Sequence, residues 1–297
     1  MMTPSLPAGS RVALIAPAGP LGSESELKQS IDNATQLGWE PVVGASAAAR
    51  DGYFAGPDDA RLRDLLWAID DQSIDGIWCV RGGYGAMRLL PSLDLSRISS
   101  TGKALIGFSD ITALHAVWQR AEIVSYHGPT ARAPLTAFSK AQLIAAVQQR
   151  APLQLTHEAL HTVRGGRTRG RIAGGNLALL SALCGTPWQQ DFRDAIVFIE
   201  DIGEPVYRLD RMLVQLRLAR AFEGCAGLVF GRFTSCPEGT EDGARSLQSI
   251  IEETASAVGV PVVANAPFGH IAEQWTLPLG EEAELDADRC TITIDRR

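Results

Sequence analysis

Three observations predict an α/β fold with a parallel sheet in the first half of the chain. Short apolar segments alternate with helical segments from residue 11 to about residue 121. The apolar segments, such as IWCV and KALIG, are nearly continuous, which is typical of parallel strands covered by helices on both faces. Around residues 150–170 the periodicity is lost and Gly and Arg become frequent. This change predicts the crossing into a second domain.

The elements of the first half follow in order. RVALIAPAG is a strand that ends in a Gly/Pro turn, and residues 25–37 form a helix that Gly38 ends. EPVVGA is the second strand, and residues 57–70 form a helix with acidic residues in its first turn. The strand in DGIWCV leads into the loop RGGYG, and the strand KALIG leads through FSD into the helix ITALHAVWQRA.

The second half mixes strands and helices. We place the domains at 1–155 and 170–297, with 156–169 as the crossing between them. Beyond the crossing we expect a turn and helix in GGNLALLSALCGTPW, a strand in DAIVFIED and a long helix in YRLDRMLVQLRLARAF. The strand GLVFGRF, a helix near 243–257, the segment PVVANAPFGH and a strand-rich tail complete the chain.

Composition excludes several classes of protein. The 297 residues carry a net charge of −7, which argues against nucleic acid or an anionic membrane surface as a partner. No apolar run approaches the ~18–20 residues of a membrane span, and the apolar stretch 12–16 is too short for a signal peptide. The five cysteines are scattered without a C-x-x-C pair. We therefore expect a cytoplasmic protein with reduced thiols.

One short motif suggests a metal site. Residues 157–161 read HEALH, and on a helix two histidines four residues apart can bind one zinc with the glutamate as general base. The flanking LQLT and HTVRGGRTRG do not favour a helix, and no third ligand follows at a typical zinc spacing. We therefore expect no metal and no cofactor.

Ser109 is the first candidate catalytic residue. In IGFSDIT it lies between a strand end and a helix start, where a hydroxyl is exposed and helical N–H groups can bind an oxyanion. The hydrolase motif G-x-S-x-G fails, because Ile111 stands where it requires glycine. Capping of the helix by Ser109 or Asp110 is the structural alternative.

The loop RGGYG is the second candidate. Its glycines, Gly82, Gly83 and Gly85, allow the backbone to approach a ligand and to form an anion nest or half of an oxyanion hole. A tight turn explains the same glycines. Neither G-x-G-x-x-G nor G-K-[ST] is present, so a nucleotide site is not favoured.

The remaining candidates are acids and histidines. Glu200 lies at a predicted strand end, and spacing alone does not rank it above its competitors Asp201, Glu204 and Asp210. His270 follows a glycine in a loop, which favours an acid/base role more than the helical position of His115 does. Ser109, Glu200 and His270 together supply a nucleophile, an orienting carboxylate and a general base.

Taken in order, many segments resemble the LD-carboxypeptidases, the serine peptidases that include muropeptide carboxypeptidases and the microcin C immunity peptidase. The resemblance spans nearly the whole chain. It is carried by IAPAGP, GYFAGPDDAR, RGGYGAMRLLP, IGFSDIT, HGP, GRIAGGNLALLSALCGTP, IEDIGEPVYRLDRML, GLVFGRF and FGHIAEQWTLPLG.

The resemblance implies roles for individual residues. The family's nucleophile, glutamate and histidine fall on Ser109, Glu200 and His270, and the oxyanion donors fall on the backbone of Asp110 and a glycine of RGGYG, for which we take Gly83. It also implies a Rossmann-like N-terminal domain with the nucleophile, a smaller β-rich C-terminal domain with the other two residues, and a homodimer. Phe108 departs from the tyrosine common before the serine, which is a conservative change.

The expected function is therefore a serine LD-carboxypeptidase that releases terminal D-Ala from murein tetrapeptides in peptidoglycan recycling. Arg81, beside the glycine loop, is the candidate partner for the substrate carboxylate. Two alternatives stay open: the same chemistry on a toxic peptide-nucleotide, and a catalytically inactive peptide-binding module.

Overall fold

A computed structural model describes residues 1–149, 152–239 and 244–296. The chain divides into two compact units, one of Met1–Ala151 and Gln274–Gly280 and the other of Pro152–Glu273 and Glu281–Arg297. The strands in chain order are β1 (Arg11–Ile15), β2 (Glu40–Val43), β3 (Gly76–Cys79), β4 (Ala104–Gly107), β5 (Ser125–His127), β6 (Leu153–Leu155), β7 (His161–Arg164), β8 (Arg167–Asn176), β9 (Ala195–Ile202), β10 (Gly227–Thr234), β11 (Val262–Ala264), β12 (Leu277–Leu279), β13 (Glu282–Asp286) and β14 (Thr291–Ile294).

Eight α-helices lie between these strands in the described part of the chain. They are α1 (Glu24–Gln36), α2 (Asp58–Asp70), α3 (Leu95–Thr101), α4 (Thr112–Arg120), α5 (Ala137–Leu143), α6 (Leu177–Leu183), α7 (Val206–Leu218) and α8 (Leu247–Val258). No helix among the described residues is long and apolar enough to cross a membrane.

The first unit contains a six-stranded sheet in the order β12-β5-β4-β3-β1-β2. Strands β5, β4, β3, β1 and β2 are parallel, and β12 is antiparallel at one edge. Residues of β1, β3 and β4 are almost wholly buried, as the continuous apolar segments predict. The order 2-1-3-4-5 places a topological switch point between β1 and β3, where ligands bind in open α/β sheets.

The second unit contains an eight-stranded mixed sheet in the order β6-β14-β13-β8-β9-β10-β11-β7. Its centre is parallel, from β8 through β9 and β10 to β11, and antiparallel pairs flank that centre on both sides. Helix α7 buries Leu209, Leu213 and Leu216 at the three- and four-residue spacing of an apolar helix face. The predicted fold class, a parallel-sheet α/β domain followed by a domain with a second sheet, is confirmed.

The domain boundaries predicted from the sequence need three corrections. The predicted first domain ends too late, because residues 152–155 lie in the second unit, where β6 pairs with β14. The segment 156–169 is not a crossing, because β7 and the start of β8 lie within it and pair with β11 and β13. Residues 274–280 lie in the first unit, because β12 pairs with β5. The helix predicted near 243–257 is α8, and its predicted start at residue 243 lies outside the described residues.

Candidate active site

Ser109 lies in a sharp turn at the end of β4. Its φ of 64° is in the left-handed region, which few residues other than glycine adopt. A short 3-10 turn, Ser109–Ile111, leads from β4 into α4. A serine in a strained strand-to-helix turn has the geometry of a nucleophile elbow, and it has that geometry here although residue 111 is isoleucine.

The glycine loop after β3 packs directly against this turn. A Cβ added at Gly82 would lie 3.0 Å from the Ser109 Cβ and 3.2 Å from its Oγ, so only glycine allows the loop to come this close. The backbone N–H of Gly19, in the loop after β1, donates to the Gly82 carbonyl at 2.9 Å. The loops after β1 and β3 therefore meet beside Ser109, at the switch point of the sheet.

A buried carboxylate joins the glycine loop to the turn that contains Ser109. Asp110 is 1% exposed, and its Oδ2 accepts a hydrogen bond from the Ala86 N–H at 2.8 Å. Burial raises the pKa of Asp110 to about 6, while hydrogen bonds from the backbone of Ala86 and Gly85 and the charge of Arg61 oppose the rise. The Asp110 side chain thus fixes the glycine loop relative to the Ser109 turn.

Arg61 holds the neighbouring loops together from within the core. It is fully buried, and it donates to the carbonyls of Pro17, Gly56 and Gly85 and to the carboxylate of Asp58. A buried arginine satisfies its five donors only where several acceptors converge, and here those acceptors belong to the segments around the glycine loop.

His115 packs beneath the strand that leads into the Ser109 turn. Its Nε2 donates to the Gly107 carbonyl at 2.9 Å, and its Nδ1 accepts from the Ser125 hydroxyl at 2.8 Å. Burial lowers the pKa of His115 to about 4, so the ring is neutral at neutral pH. This histidine anchors the backbone two residues before Ser109.

In the second unit Glu200 and His270 form a hydrogen-bonded pair. The His270 Nδ1 lies 2.8 Å from the Glu200 Oε2. Glu200 is fully buried in β9, whereas the side chain of His270 is 17% exposed. The carboxylate oxygen accepts, so Nδ1 is the nitrogen that donates in this hydrogen bond. In a neutral imidazole with that bond, Nε2 is the basic nitrogen, as in a histidine that acts as general base.

A glycine lets this pair form. Gly269 has a φ of 107°, and a Cβ there would lie 2.7 Å from the Glu200 Oε2. The loop is fixed at both sides, because Arg232 N–H donates to the Phe268 carbonyl at 3.0 Å and Thr234 Oγ1 donates to the His270 carbonyl at 3.2 Å. His270 is thereby held over the buried carboxylate.

The other acidic residues of this stretch have structural partners. Asp201 accepts hydrogen bonds from Asn176 Nδ2 at 3.0 Å and Ala178 N–H at 2.9 Å at the start of α6, and burial raises its pKa to about 6. Glu204 pairs with Arg208, and Asp210 pairs with Arg245. Among these four acids, Glu200 is the one bonded to a histidine.

Sequence profiles of one family match both halves of the chain. The LD-carboxypeptidase N-terminal domain matches residues 12–128, and the LD-carboxypeptidase C-terminal domain matches residues 169–285. The chain belongs to the LD-carboxypeptidase family. It is therefore a peptidase by family, and the resemblance seen in the sequence is confirmed.

Curated relatives match this chain along nearly their whole length. A putative carboxypeptidase of Synechocystis is 35% identical over 289 residues, covering 96% of this chain and 94% of the relative. The murein tetrapeptide carboxypeptidase of Pseudomonas aeruginosa is 35% identical over 300 residues, covering 95% of each protein.

Solved structures agree on the fold. The muramoyltetrapeptide carboxypeptidase of Oxalobacter formigenes has a TM-score of 0.86 and 28% identity, covering 96% of this chain and 98% of its own. An MccF-like protein of Bacillus anthracis has a TM-score of 0.91 over the full length of both chains, and at 24% identity this likeness concerns the fold.

HEALH does not have the geometry of a zinc-peptidase motif. Residues 158–159 form a turn, and His161 begins β7, so the two histidines do not share a helical face. The Nδ1 of His157 accepts from the Ala159 N–H at 3.1 Å, and the Nδ1 of His161 lies 3.3 Å from Asn265 Nδ2. No group of three or more His, Cys, Asp or Glu in the described part of the chain is arranged to hold a metal ion.

We expect the double variant His157→Ala/His161→Ala to retain the wild-type kcat/KM, and chelators to leave that value unchanged. Both residues are partly exposed, and each side chain has one described hydrogen bond, so the free energy of unfolding should fall by no more than about 1 kcal/mol. Peptide hydrolysis before and after dialysis against a chelator measures this. One tightly bound zinc per chain, lost together with activity, would show that the motif binds metal after all.

The sequence alone did not reveal the supporting residues. Arg61 and the side chain of Asp110 look like ordinary charged residues of a helix and a helix start, and their burial depends on loops distant in the chain. The sequence pointed to Arg61 only indirectly, because this residue ends GYFAGPDDAR, one of the segments that carry the family resemblance.

Proposed function

We propose that the protein is a serine LD-carboxypeptidase that releases terminal D-Ala from murein tetrapeptides. The observation that best supports a serine nucleophile is the backbone conformation of Ser109. This residue has a left-handed φ at the end of a strand, and the glycine loop packs against it. The name of the Pseudomonas aeruginosa relative, a murein tetrapeptide carboxypeptidase, supports the substrate class.

In the proposed mechanism Ser109, His270 and Glu200 act as a triad. His270 Nε2 takes the proton of the Ser109 hydroxyl as that oxygen attacks the scissile carbonyl, and later returns a proton to the leaving amine. Glu200 accepts the Nδ1–H bond and stabilises the imidazolium that forms in the transition state. Water then hydrolyses the acyl-enzyme by the same proton transfers in reverse order.

The oxyanion would be held by the backbone N–H groups of Asp110 and Gly83. Such donors contribute on the order of 3–4 kcal/mol of transition-state stabilisation when they are fixed before the reaction. The Asp110 carboxylate supports this assignment, because it ties the glycine loop to the nucleophile turn. Arg81, next to Gly82 in the chain, would bind the terminal carboxylate of the peptide.

Mass spectrometry of a murein tetrapeptide incubated with the protein tests the proposal. We expect conversion to the tripeptide with release of one alanine, and no change in a sample without protein. Cleavage at an internal bond would contradict the carboxypeptidase assignment. An intact tetrapeptide together with hydrolysis of a peptide-nucleotide would instead favour the activity of an immunity peptidase.

We also propose that the protein acts as a homodimer, as the family resemblance implies. Light scattering of the purified protein in the assay buffer measures this, and a mass equal to that of one chain would contradict it.

A further inference from the structure

Strand β10 of the second unit has a β-bulge opposite the catalytic acid proposed above. The register between β9 and β10 shifts between Phe230 and Phe233. Two residues of β10, Gly231 and Arg232, therefore lie against one residue of β9, Glu200. Bulges are uncommon between parallel strands, and they often occur beside active sites, where they redirect the chain.

The bulge connects β10 to the histidine loop, residues 265–270. The Ala266 N–H donates to the Phe230 carbonyl at 3.1 Å, and the Arg232 N–H donates to the Phe268 carbonyl at 3.0 Å. These two bonds lie on either side of the glycine of the bulge. Because the bulge directs the second N–H toward the loop, the loop is bonded to the same part of β10 that lies opposite the acid.

Space is the reason for glycine at position 231. Its φ lies outside the left-handed region, but a Cβ there would lie 2.6 Å from Cζ of the Phe268 ring and 2.8 Å from both Cε atoms. Phe268 is fully buried. Carbon atoms in contact are ordinarily about 3.5–4.0 Å apart, so an added methyl group would displace the ring by about 1 Å. The ring can pack here only because Gly231 has no side chain.

The Phe268 ring and the His270 imidazole contact neighbouring positions of β9. Phe268 packs edge to face on Phe198, with ring centroids 5.5 Å apart, and His270 Nδ1 lies 2.8 Å from Glu200 Oε2. Phe198 and Glu200 are two residues apart on one strand, so their side chains lie on the same face. Phe268 and His270 are also two residues apart, and a displaced ring therefore displaces the imidazole relative to the carboxylate.

We propose that Gly231 and Phe268 are positioning residues for the Glu200–His270 pair. The bulge accommodates the Phe268 ring, the ring fixes the histidine loop, and the loop holds His270 Nδ1 against the carboxylate. The effect of this arrangement on catalysis rests on the proposed function. Neither residue takes part in the bond-making steps of that function, and both act through His270.

Gly231→Ala tests the packing of the ring. We expect kcat for the tetrapeptide to fall about ten- to a hundredfold with KM nearly unchanged, because a displacement of about 1 Å at a catalytic group costs a factor of that size. The Nδ1 proton bonded to Glu200 should give a low-field proton NMR resonance at low temperature, assigned by its absence in His270→Ala. We expect Gly231→Ala to broaden or remove this resonance.

Phe268→Leu in the Gly231→Ala background should restore both properties. Leucine lacks the Cε and Cζ atoms that the added methyl group would meet, and the methyl group fills part of the volume that the ring leaves. We expect the double variant to be about tenfold faster than Gly231→Ala and to regain the resonance. Phe268→Leu alone removes the ring without adding an atom, so it should lower kcat several-fold even if Gly231→Ala does not fold.

Gly227→Ala is the matched control, at the start of the same strand. A Cβ there would lie 3.0 Å from Leu285 Cδ2 and 3.1 Å from Thr168 Cγ2, so it also crowds a buried position. Position 227 lies about 13 Å along the strand from the bulge. This variant should lower the free energy of unfolding and leave kcat and the resonance as in the wild type.

Two results would overturn the inference directly. A Gly231→Ala protein that is less stable but keeps the wild-type kcat and resonance would show that Gly231 serves packing alone. A double variant that is no faster than Gly231→Ala and lacks the resonance would show that the contact with Phe268 does not position His270.

The resonance separates this inference from the proposed reaction, because it does not require turnover. A resonance that is lost in Gly231→Ala and regained in the double variant, without hydrolysis by the wild-type protein, would support the positioning and contradict the proposed function. Hydrolysis with kcat unchanged in Gly231→Ala would support the function and contradict the positioning. Absence of the resonance from the wild-type protein would contradict the Glu200–His270 bond, and with it the inference.

Discussion

Ser109→Ala is expected to abolish peptide release while leaving the fold intact. Without the hydroxyl no acyl-enzyme forms, and removal of the nucleophile from a triad lowers kcat by ~10⁴–10⁶-fold. The residue is partly exposed and its Oγ makes no contact that the core requires, so the free energy of unfolding should change by about 0.5 kcal/mol or less. Single-turnover assays with the tetrapeptide and chemical denaturation measure the two quantities.

Ser100→Ala is the control for this experiment. Ser100 is an exposed serine at the end of α3, and its hydroxyl donates to the Arg97 carbonyl within the helix. This variant should keep the wild-type rate. A Ser109→Ala protein that retained most of its activity would exclude the serine mechanism and with it the roles proposed for His270 and Glu200.

The first half of the fold could be predicted from the sequence because its signals are local. Continuous apolar segments identify β1, β3 and β4, and Gly38, with a φ of 79°, follows α1 where a helix-ending glycine is expected. Each of these signals depends on the burial or backbone conformation of the residues themselves. The long helix of the second half was also found, although α7 ends at Leu218, four residues before the predicted end.

The strands that were missed depend on partners distant in the sequence. β7 alternates partly buried and exposed residues without an apolar pattern, and β8 begins with RTRGR, which reads as a solvated loop. They are strands because β11 and β13 supply the hydrogen bonds. Strand β12 has only three residues, and it belongs to the first unit because it pairs with β5. Pairing over such distances leaves no local trace.

The candidate site was likewise predictable only in part. The residue types of a triad could be found from the sequence, but the choice of Glu200 over Asp201, Glu204 and Asp210 came from the family resemblance. The structure supplies the physical distinction, since Glu200 is the acid of this stretch that reaches a histidine. The positive φ of Ser109 could not be predicted, because the glycine that usually accompanies such a turn is replaced by Ile111.

Exchange of the terminal D-Ala for L-Ala is expected to collapse kcat/KM by on the order of a hundredfold or more. A carboxypeptidase must hold the terminal carboxylate, which we assign to Arg81, while the scissile carbonyl lies at Ser109. If these two points stay fixed, inversion at the Cα of the terminal alanine places its methyl group where the D-isomer has a hydrogen. The clash of this methyl group with the site then displaces the scissile carbonyl. A displacement of about 1 Å at the attacked carbon is enough for such a loss.

Amidation of the terminal carboxylate should be comparably harmful, because it removes the charge that positions the peptide. Arg81→Ala should therefore weaken hydrolysis of the acid far more than that of the amide. The control Arg63→Gln removes an exposed ion pair with Asp59 on α2 and should affect neither. Parallel assays of the D-Ala, L-Ala and amidated tetrapeptides with the three proteins measure these ratios. Equal hydrolysis of the D-Ala and L-Ala peptides would mean that the active site does not distinguish the configuration of the terminal residue. The substrate assignment would then be wrong, although the proposed serine chemistry would stand.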